Sequence, residues 1–487
     1  MRRRLLRVLP IAWLLGLLLA PGAAFVLGAR QGELENRPIA SWPERSLTAL
    51  GRERTFQQLD RTILERLPLR GTALDLRGRL ELDLLRDSPN PRILVGRDGW
   101  LYYDEEFDLC RDAGRPLADP ADAAELVARA LVASGRRAIV TVADTKLSVH
   151  PADAPALDDP ALGCVRRLDR RVGRRLARSP GGLDLRPTLD ALERRGIATF
   201  LRSDTHWSLE GRTAFVRAVL DRIRPGLADE VELRPGAPWQ RDGDLGRFMG
   251  MRRLDPDRPL EARRTPRAPL AAGDVALIGD SQLELAMVHP PQPGAVPIAQ
   301  RALPGQPFCH VNVIGDGPCD AALRRARAVV LERVSRSLRM FTAGCWRPIA
   351  IALEDRTGPA GRWERADGGR PLRSRRLALS PAPVRVRALL PGGDVSAVPR
   401  IVRIPIRRAA GPVTMTQTPE RGPVAPCSTI GDLTSGTAKL LAVPAGRRAS
   451  DLLVQLSAPP GTELGAPEEL VLDGRELRRA PAERPAR

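Results

Sequence analysis

The chain has 487 residues, 77 Lys and Arg against 58 Asp and Glu, and a formal net charge of +19. That length accommodates two or three domains of about 150 residues, and 43% hydrophobic with 28% charged residues excludes a globally disordered chain. All basic residues except Lys146 and Lys439 are arginine, Asn is scarce and aromatics are 3%. Such a composition reads as GC-rich coding spread over the surface rather than a nucleic-acid reader, and no zinc-finger spacing, RNP motif or phosphate-binding glycine loop points the other way.

Residues 1–7 carry four arginines, and Val8 to Ala29 follow with 22 uncharged positions. At about 1.5 Å per residue this stretch matches the roughly 30 Å hydrocarbon thickness of a bilayer. Residues 1–29 are therefore predicted to be a transmembrane signal anchor or a signal peptide, with Gly22-Ala23-Ala24 as a small-residue cleavage site. Arginines on the cytoplasmic side direct the rest of the chain outward. The expected location is the periplasm, with residues 8–29 holding the protein to the inner membrane.

Helical spacing of Leu47, Leu50, Phe56, Leu59, Ile63, Leu64 and Leu67 predicts a helix from Ser46 to about Arg86. Ile93-Leu94-Val95 and Trp100-Leu101-Tyr102-Tyr103 flank Asp98-Gly99 and predict a hairpin. Helix and strand then alternate. Helices are predicted from Asp119-Pro120 to Ser134 and over Pro187–Arg195, Ser208–Ile223 and Ala321–Arg327. Strands are predicted over Arg137–Val142, Ile197–Leu201, Asp274–Ile278 and Ala328–Leu331. Short apolar strands between helices imply an α/β domain with a mostly parallel sheet covered on both faces.

Beyond Cys345 the pattern changes to short β-branched runs between Pro/Gly turns: Val384–Leu390, Ile401–Ile406, Val413–Thr418, Leu440–Val443 and Leu452–Leu456. This predicts a C-terminal β-sandwich. The expected division is 1–29, 30–344 and 345–487, the last a possible carbohydrate-binding module. Between Arg356 and Arg408 it holds thirteen arginines against Glu364, Asp367 and Asp394. That face is either a solvated, codon-biased surface or one for an anionic polysaccharide.

Six cysteines, with no CxxC pair and four scattered histidines, fit disulfides in an oxidising compartment better than zinc. Six cysteines allow 15 pairings; keeping pairs within domains gives Cys110–Cys164, Cys309–Cys319 and Cys345–Cys427.

Two short motifs carry chemistry. The strand Val275–Ile278 runs into Gly279-Asp280-Ser281 and then a helix, placing Ser281 at a strand's carboxyl end and a helix N-terminus. Ser203-Asp204-Thr205-His206-Trp207 holds an acid and a histidine two positions apart. A serine needs a base to take its proton, and that base needs a carboxylate to orient it. Ser281 as nucleophile, His206 as base and Asp204 as orienter form the candidate catalytic set; no metal or cofactor pattern is present, so none is expected. Trp207 is either a sugar platform or a core residue.

These motifs resemble the SGNH/GDSL hydrolases, which carry the nucleophile in Gly-Asp-Ser. The order and wording of the Asp-Thr-His-Trp block resemble the SGNH-like domain of the AlgX/AlgJ alginate O-acetyltransferases. Glu35-Asn36-Arg37, Gly99-Trp100-Leu101-Tyr102-Tyr103, the Lys146 segment and Arg333 also match. The segment before Lys146, Ala143-Asp144-Thr145, lacks a proline, and Gln-Leu-Glu-Leu after Ser281 departs from the family. The resemblance implies an extracytoplasmic acetyltransferase acting on an exported, alginate-like polysaccharide. It implies an acetyl donor reached through a membrane-bound O-acyltransferase partner, and an oxyanion hole that uses the Ser281 N–H. With water as acceptor the same residues make a carbohydrate esterase or deacetylase; a non-catalytic polysaccharide-binding assembly protein is the reading from outside enzymes.

Overall fold

The computed structural model describes residues 15–16, 19–29, 40–43, 52–111, 120–155, 160–290, 292, 294–310 and 317–338, and beyond them only strands. In chain order the strands up to residue 338 are β1 (Ile93–Val95), β2 (Leu101–Tyr103), β3 (Arg137–Ala143), β4 (Gly182–Leu183), β5 (Leu233–Pro235) and β6 (Trp239–Asp242). They continue with β7 (Leu254–Asp257), β8 (Leu260–Ala262), β9 (Val275–Gly279), β10 (Phe308–His310) and β11 (Ala328–Val334).

The centre of the fold is a five-stranded sheet in the order β10-β9-β11-β3-β4, and every pairing in it is parallel. All residues of β9 and β11 are buried, as strands covered on both faces must be. Successive side chains point to opposite faces. Ile139, Leu277 and Val330 pack with Phe215, Val216, Val219 and Leu220 of helix Leu209–Ile223. Val140, Ile278 and Val329 pack with Leu126, Val127 and Leu131 of helix Pro120–Ala133 and Val172 and Leu176 of helix Pro160–Arg178. Each such side chain contributes about 1.5–3 kcal/mol through burial, so the sheet is a rigid platform for whatever leaves its edge.

The predicted α/β architecture is present, with local corrections. The long helix predicted to Arg86 breaks in the middle. Helix Glu53–Arg66 stops at Leu67, whose ψ of 117° is extended because Pro68 follows; Leu69 takes a left-handed φ of 69°, and helix resumes over Arg70–Arg79. The hairpin β1–β2 turns as predicted, with Asp98 at φ 50° and Gly99 at φ 77°. Ile197–Leu201 is not a strand of the sheet. It folds back on the segment that follows, through a bridge between Phe200 and Trp207 and bonds from Leu201 N to the His206 carbonyl and Ser208 N to the Thr199 carbonyl. The Asp204–His206 motif therefore sits on a closed loop beside the sheet rather than at a strand end. Helix Pro160–Arg178 and the pairs β5–β8 and β6–β7 were not predicted.

All five predicted C-terminal runs contain strands. Gly361–Arg365, Glu468–Leu472, Arg400–Arg408, Ala438–Val443 and Glu463–Leu464 form one antiparallel sheet. Val384–Val386, Leu452–Ser457 and Thr414–Pro419 form another. Packing of the two into a sandwich, and a boundary at 345, lie outside the described residues. So do residues 8–14 and 17–18 of the expected membrane segment; residues 19–26 are helical, and among the described residues no helix is long and apolar enough to cross a membrane.

Cys110 and Cys164 are bonded, with Cα atoms 6.0 Å apart, tying helix Asp108–Arg111 to helix Pro160–Arg178. Cys309 is also in a disulfide, and the side chain it joins lies outside the described residues, as does the pair Cys345–Cys427.

Candidate active site

β9 delivers the nucleophile candidate. After Gly279 the chain turns sharply at Asp280, whose Oδ1 accepts from Gln282 N at 3.0 Å and so caps the helical turn Ser281–Leu283. The other oxygen, Oδ2, accepts from Val334 N at 2.7 Å, and Asp280 N donates to Glu332 Oε2 at 3.1 Å. The turn is thus stitched to the neighbouring strand β11. Gly279 is required here, since a Cβ would lie 2.7 Å from that of Leu283.

The loop carrying Asp204 and His206 is held from three directions. Ser203 donates through N and Oγ to Asp255 Oδ2 at 2.7 and 2.9 Å. Thr205 donates through N and Oγ1 to Asp244 at 2.8 and 2.6 Å. Lys146 Nζ donates to the carbonyls of Arg202 and Asp204. Gly243 is pressed against the Ser203 carbonyl and hydroxyl, leaving no room for a Cβ.

The two segments meet. His206 Nε2 lies 2.9 Å from Ser281 Oγ, and His206 Nδ1 lies 2.5 Å from Asp204 Oδ1. Two acceptors do not approach this closely, so Nδ1 carries the proton and Nε2 faces the serine hydroxyl as an acceptor. Asp204 is wholly buried, His206 is 8% exposed and Ser281 is partly exposed. The three predicted residues are therefore in one hydrogen-bonded chain that ends at the accessible hydroxyl.

Electrostatics favour an ionised Asp204. Burial works to raise its carboxyl, but His206 and Arg241 outweigh it and hold the group well below the usual carboxylate range. Arg241, on β6 and 5% exposed, donates from Nε to Asp204 Oδ2 at 2.7 Å. Burial, and then repulsion from Asp204, push the Asp244 carboxyl up. Asp204, His206 and Asp244 bring three potential ligand atoms within 4.8 Å. Arg241 already supplies the cation beside this cluster, so its chemistry reads as acid–base rather than metal binding.

Four residues of the site were not singled out for their roles in the sequence: Arg241, Asp244, Gln282 and Glu332. Gln282 had a signal, its place directly after Ser281; the other three had none in local spacing. Lys146 was noted only as part of the resemblance. Trp207 is fully buried against Phe215, with ring centroids 4.9 Å apart, and is a core residue.

Residues 93–288, which contain Asp204, His206 and Ser281, match the family model of the SGNH hydrolase-like domain of the acetyltransferase AlgX. Over these residues the chain is similar to domains of the AlgX/AlgJ type. It is 27% identical over 241 residues to a probable alginate O-acetylase AlgJ of Pseudomonas fluorescens, a match covering 46% of this chain and 59% of the relative. With the AlgJ of Pseudomonas aeruginosa identity is 30% over 237 residues, covering 44% and 58%. The chain thus spans about three-fifths of the length of these relatives. Among solved structures, the O-acetyltransferase domain of Pseudomonas putida AlgJ aligns at a TM-score of 0.38 and 21% identity, covering 51% of this chain and 93% of that one. The AlgX/AlgJ resemblance carried by Asp-Thr-His-Trp and Gly-Asp-Ser agrees with the family match.

Proposed function

We propose that this protein is an extracytoplasmic O-acetyltransferase that passes an acetyl group through Ser281 to hydroxyls of an exported, alginate-like polysaccharide. The observation that carries the reading is the 2.9 Å contact of His206 Nε2 with Ser281 Oγ, backed by Asp204 on Nδ1. Ser281 Oγ attacks the acetyl carbonyl of the donor while its proton moves to His206 Nε2. The imidazolium so formed is stabilised by Asp204, and it then protonates the leaving group. A sugar hydroxyl next gives its proton to His206 and attacks the acetyl-serine, releasing the O-acetyl sugar and restoring Ser281. The Ser281 N–H faces the developing oxyanion; the next two N–H groups are directed to Asp280 and Glu332.

The named relatives support acetyl transfer and an alginate-like acceptor. In this proposal a membrane-bound O-acyltransferase supplies the acetyl group in the periplasm, residues 8–29 keep the protein at the inner membrane, and the arginine-rich β region from 345 onward meets the acidic polymer.

The test is incubation of the full chain with p-nitrophenyl acetate, with and without oligomannuronate, followed by mass spectrometry. Acetylated oligosaccharide that disappears in Ser281→Ala, with kcat/KM down about 10⁴-fold or more, supports the proposal. Acetate as the only product, at a rate unaffected by sugar, would identify an esterase. Full activity in Ser281→Ala would remove both.

A further inference from the structure

Lys146 is one of two lysines in the chain, opens the short helix Lys146–Val149 after β3, and is 1% exposed. Among the described residues its ammonium makes no ion pair. Nζ instead donates to three backbone carbonyls, Leu101 at 2.7 Å, Arg202 at 2.8 Å and Asp204 at 3.1 Å. The first lies on β2; the other two lie on the loop that carries Asp204 and His206. The rings of Trp100 and Tyr102 lie 4.9 and 5.2 Å from Nζ.

The chemistry of this arrangement depends on proton count. An ammonium has three N–H groups, one for each carbonyl. A neutral amine has two and a lone pair, and a lone pair aimed at a carbonyl oxygen is repulsive. We propose that Lys146 is a positioning residue for acyl transfer: its three protons pin the 202–204 backbone to β2, and loss of one releases the loop and lowers activity. The longest of the three bonds goes to Asp204, the residue that orients His206, so that carbonyl is the first to be given up. The inference rests on the reading of Asp204, His206 and Ser281 as the catalytic set.

The surroundings put this event in an accessible range. Burial pushes Lys146 down to about 8, against the pull of Glu106, Asp255, Asp204 and Asp244. These carboxyl groups face it from the turn Asp104–Phe107, from β7, from the catalytic loop and from helix Asp244–Phe248.

The experiment is kcat/KM of the full chain for p-nitrophenyl acetate from pH 6 to 10, for wild type, Lys146→Arg and Lys146→Met. The wild type is expected to lose about tenfold per pH unit above about pH 8. Lys146→Met should be about 10–100-fold slower at neutral pH and show no break near pH 8. Lys146→Arg, which stays charged, should move the break upward. Tryptophan fluorescence gives a readout independent of activity, because Trp100 lies against Nζ. The wild-type minus Lys146→Met difference should titrate with the kinetic break. Tyrosine ionisation does not interfere, since burial pushes Tyr103 up to about 12 and Tyr102 higher still. A wild-type profile flat to pH 10, or a break near 8 that persists in Lys146→Met, overturns the proposal. Full activity in Ser281→Ala would instead remove the catalytic reading, and the fluorescence titration would still report on the lysine.

Discussion

The side chain of Gln282 brackets the backbone of His206. Its Nε2 donates to the Thr205 carbonyl at 2.9 Å, and its Oε1 accepts from Trp207 N at 3.3 Å. The residue after Ser281 therefore sets the distance from Ser281 to His206. In Gln282→Leu both backbone groups are left buried without partners, at a cost of about 1–3 kcal/mol each. The His206–Ser281 contact loosens, and kcat should fall about 100-fold. Gln282→Glu can still accept from Trp207 N but, ionised, cannot donate to Thr205, and should fall between the two. Urea midpoints and kcat for p-nitrophenyl acetate read both effects; wild-type kcat in Gln282→Leu would show that the bracket does not position His206.

Arg241 and Asp204 form a buried ion pair, with side-chain exposures of 6% and 0%. Truncation to Met leaves Asp204 as an uncompensated buried charge, and the expected loss is about 3–5 kcal/mol. The sign with pH follows from the lowered carboxyl of Asp204. Its stabilisation is present above the unfolded value of about 4 and is lost as pH falls through the lower folded value. Arg241→Met should therefore lose less stability on acidification than wild type, so that the gap between the two narrows as pH falls. Urea titrations between pH 3 and 7 measure this; unchanged acid sensitivity would mean that Arg241 is not what holds Asp204 ionised.

Glu332 accepts from Asp280 N and Leu283 N beneath the turn that carries Ser281, and burial, then repulsion from Asp280, pushes its carboxyl well above the usual range. A raised folded value means stability is fully present below the unfolded value of about 4 and declines as pH rises towards the folded one. Glu332→Gln keeps an acceptor for Asp280 N and Leu283 N while removing the titration. It should match wild type near pH 4 and be the more stable of the two at pH 8. Equal pH slopes for the two proteins, by chemical denaturation, would show that Glu332 does not carry this linkage.

The disulfide Cys110–Cys164 closes a loop of 54 residues. Chain-entropy arguments assign such a cross-link about 4 kcal/mol. The double variant Cys110→Ala, Cys164→Ala should melt several degrees lower, by calorimetry under oxidising conditions. Because the hydrogen bonds that hold Asp204, His206 and Ser281 do not involve either cysteine, kcat at temperatures where the variant is folded should be close to wild type. A loss of kcat without a loss of melting temperature would place the link in the catalytic machinery instead.

Much was legible locally, for physical reasons. β3, β9 and β11 are marked by the apolar runs Ala138–Val140, Val275–Ile278 and Ala328–Leu331, because strands covered on both faces have little polar side to show. The β1–β2 turn was readable because Asp98 and Gly99 suit its positive φ angles. Helix Pro160–Arg178 carries a local signal of its own, Val165, Leu168, Val172 and Leu176 at helical spacing among arginines. Ile197–Leu201 failed for a different reason: an apolar extended segment looks the same whether it joins a sheet or folds back on its own continuation.

The sequence by itself determined that Ser281, His206 and Asp204 were the residues to bring together, because Gly-Asp-Ser and Asp-Thr-His-Trp hold their chemistry within a few consecutive positions. Only the tertiary structure decided how they are held. Lys146 reaches Asp204 across 58 positions, Arg241 across 37, and Gln282 reaches Thr205 across 77. Periodicity reports which side of its own element a residue faces. It carries no information about which distant element will pack there, and that packing is what turns two short motifs into one site.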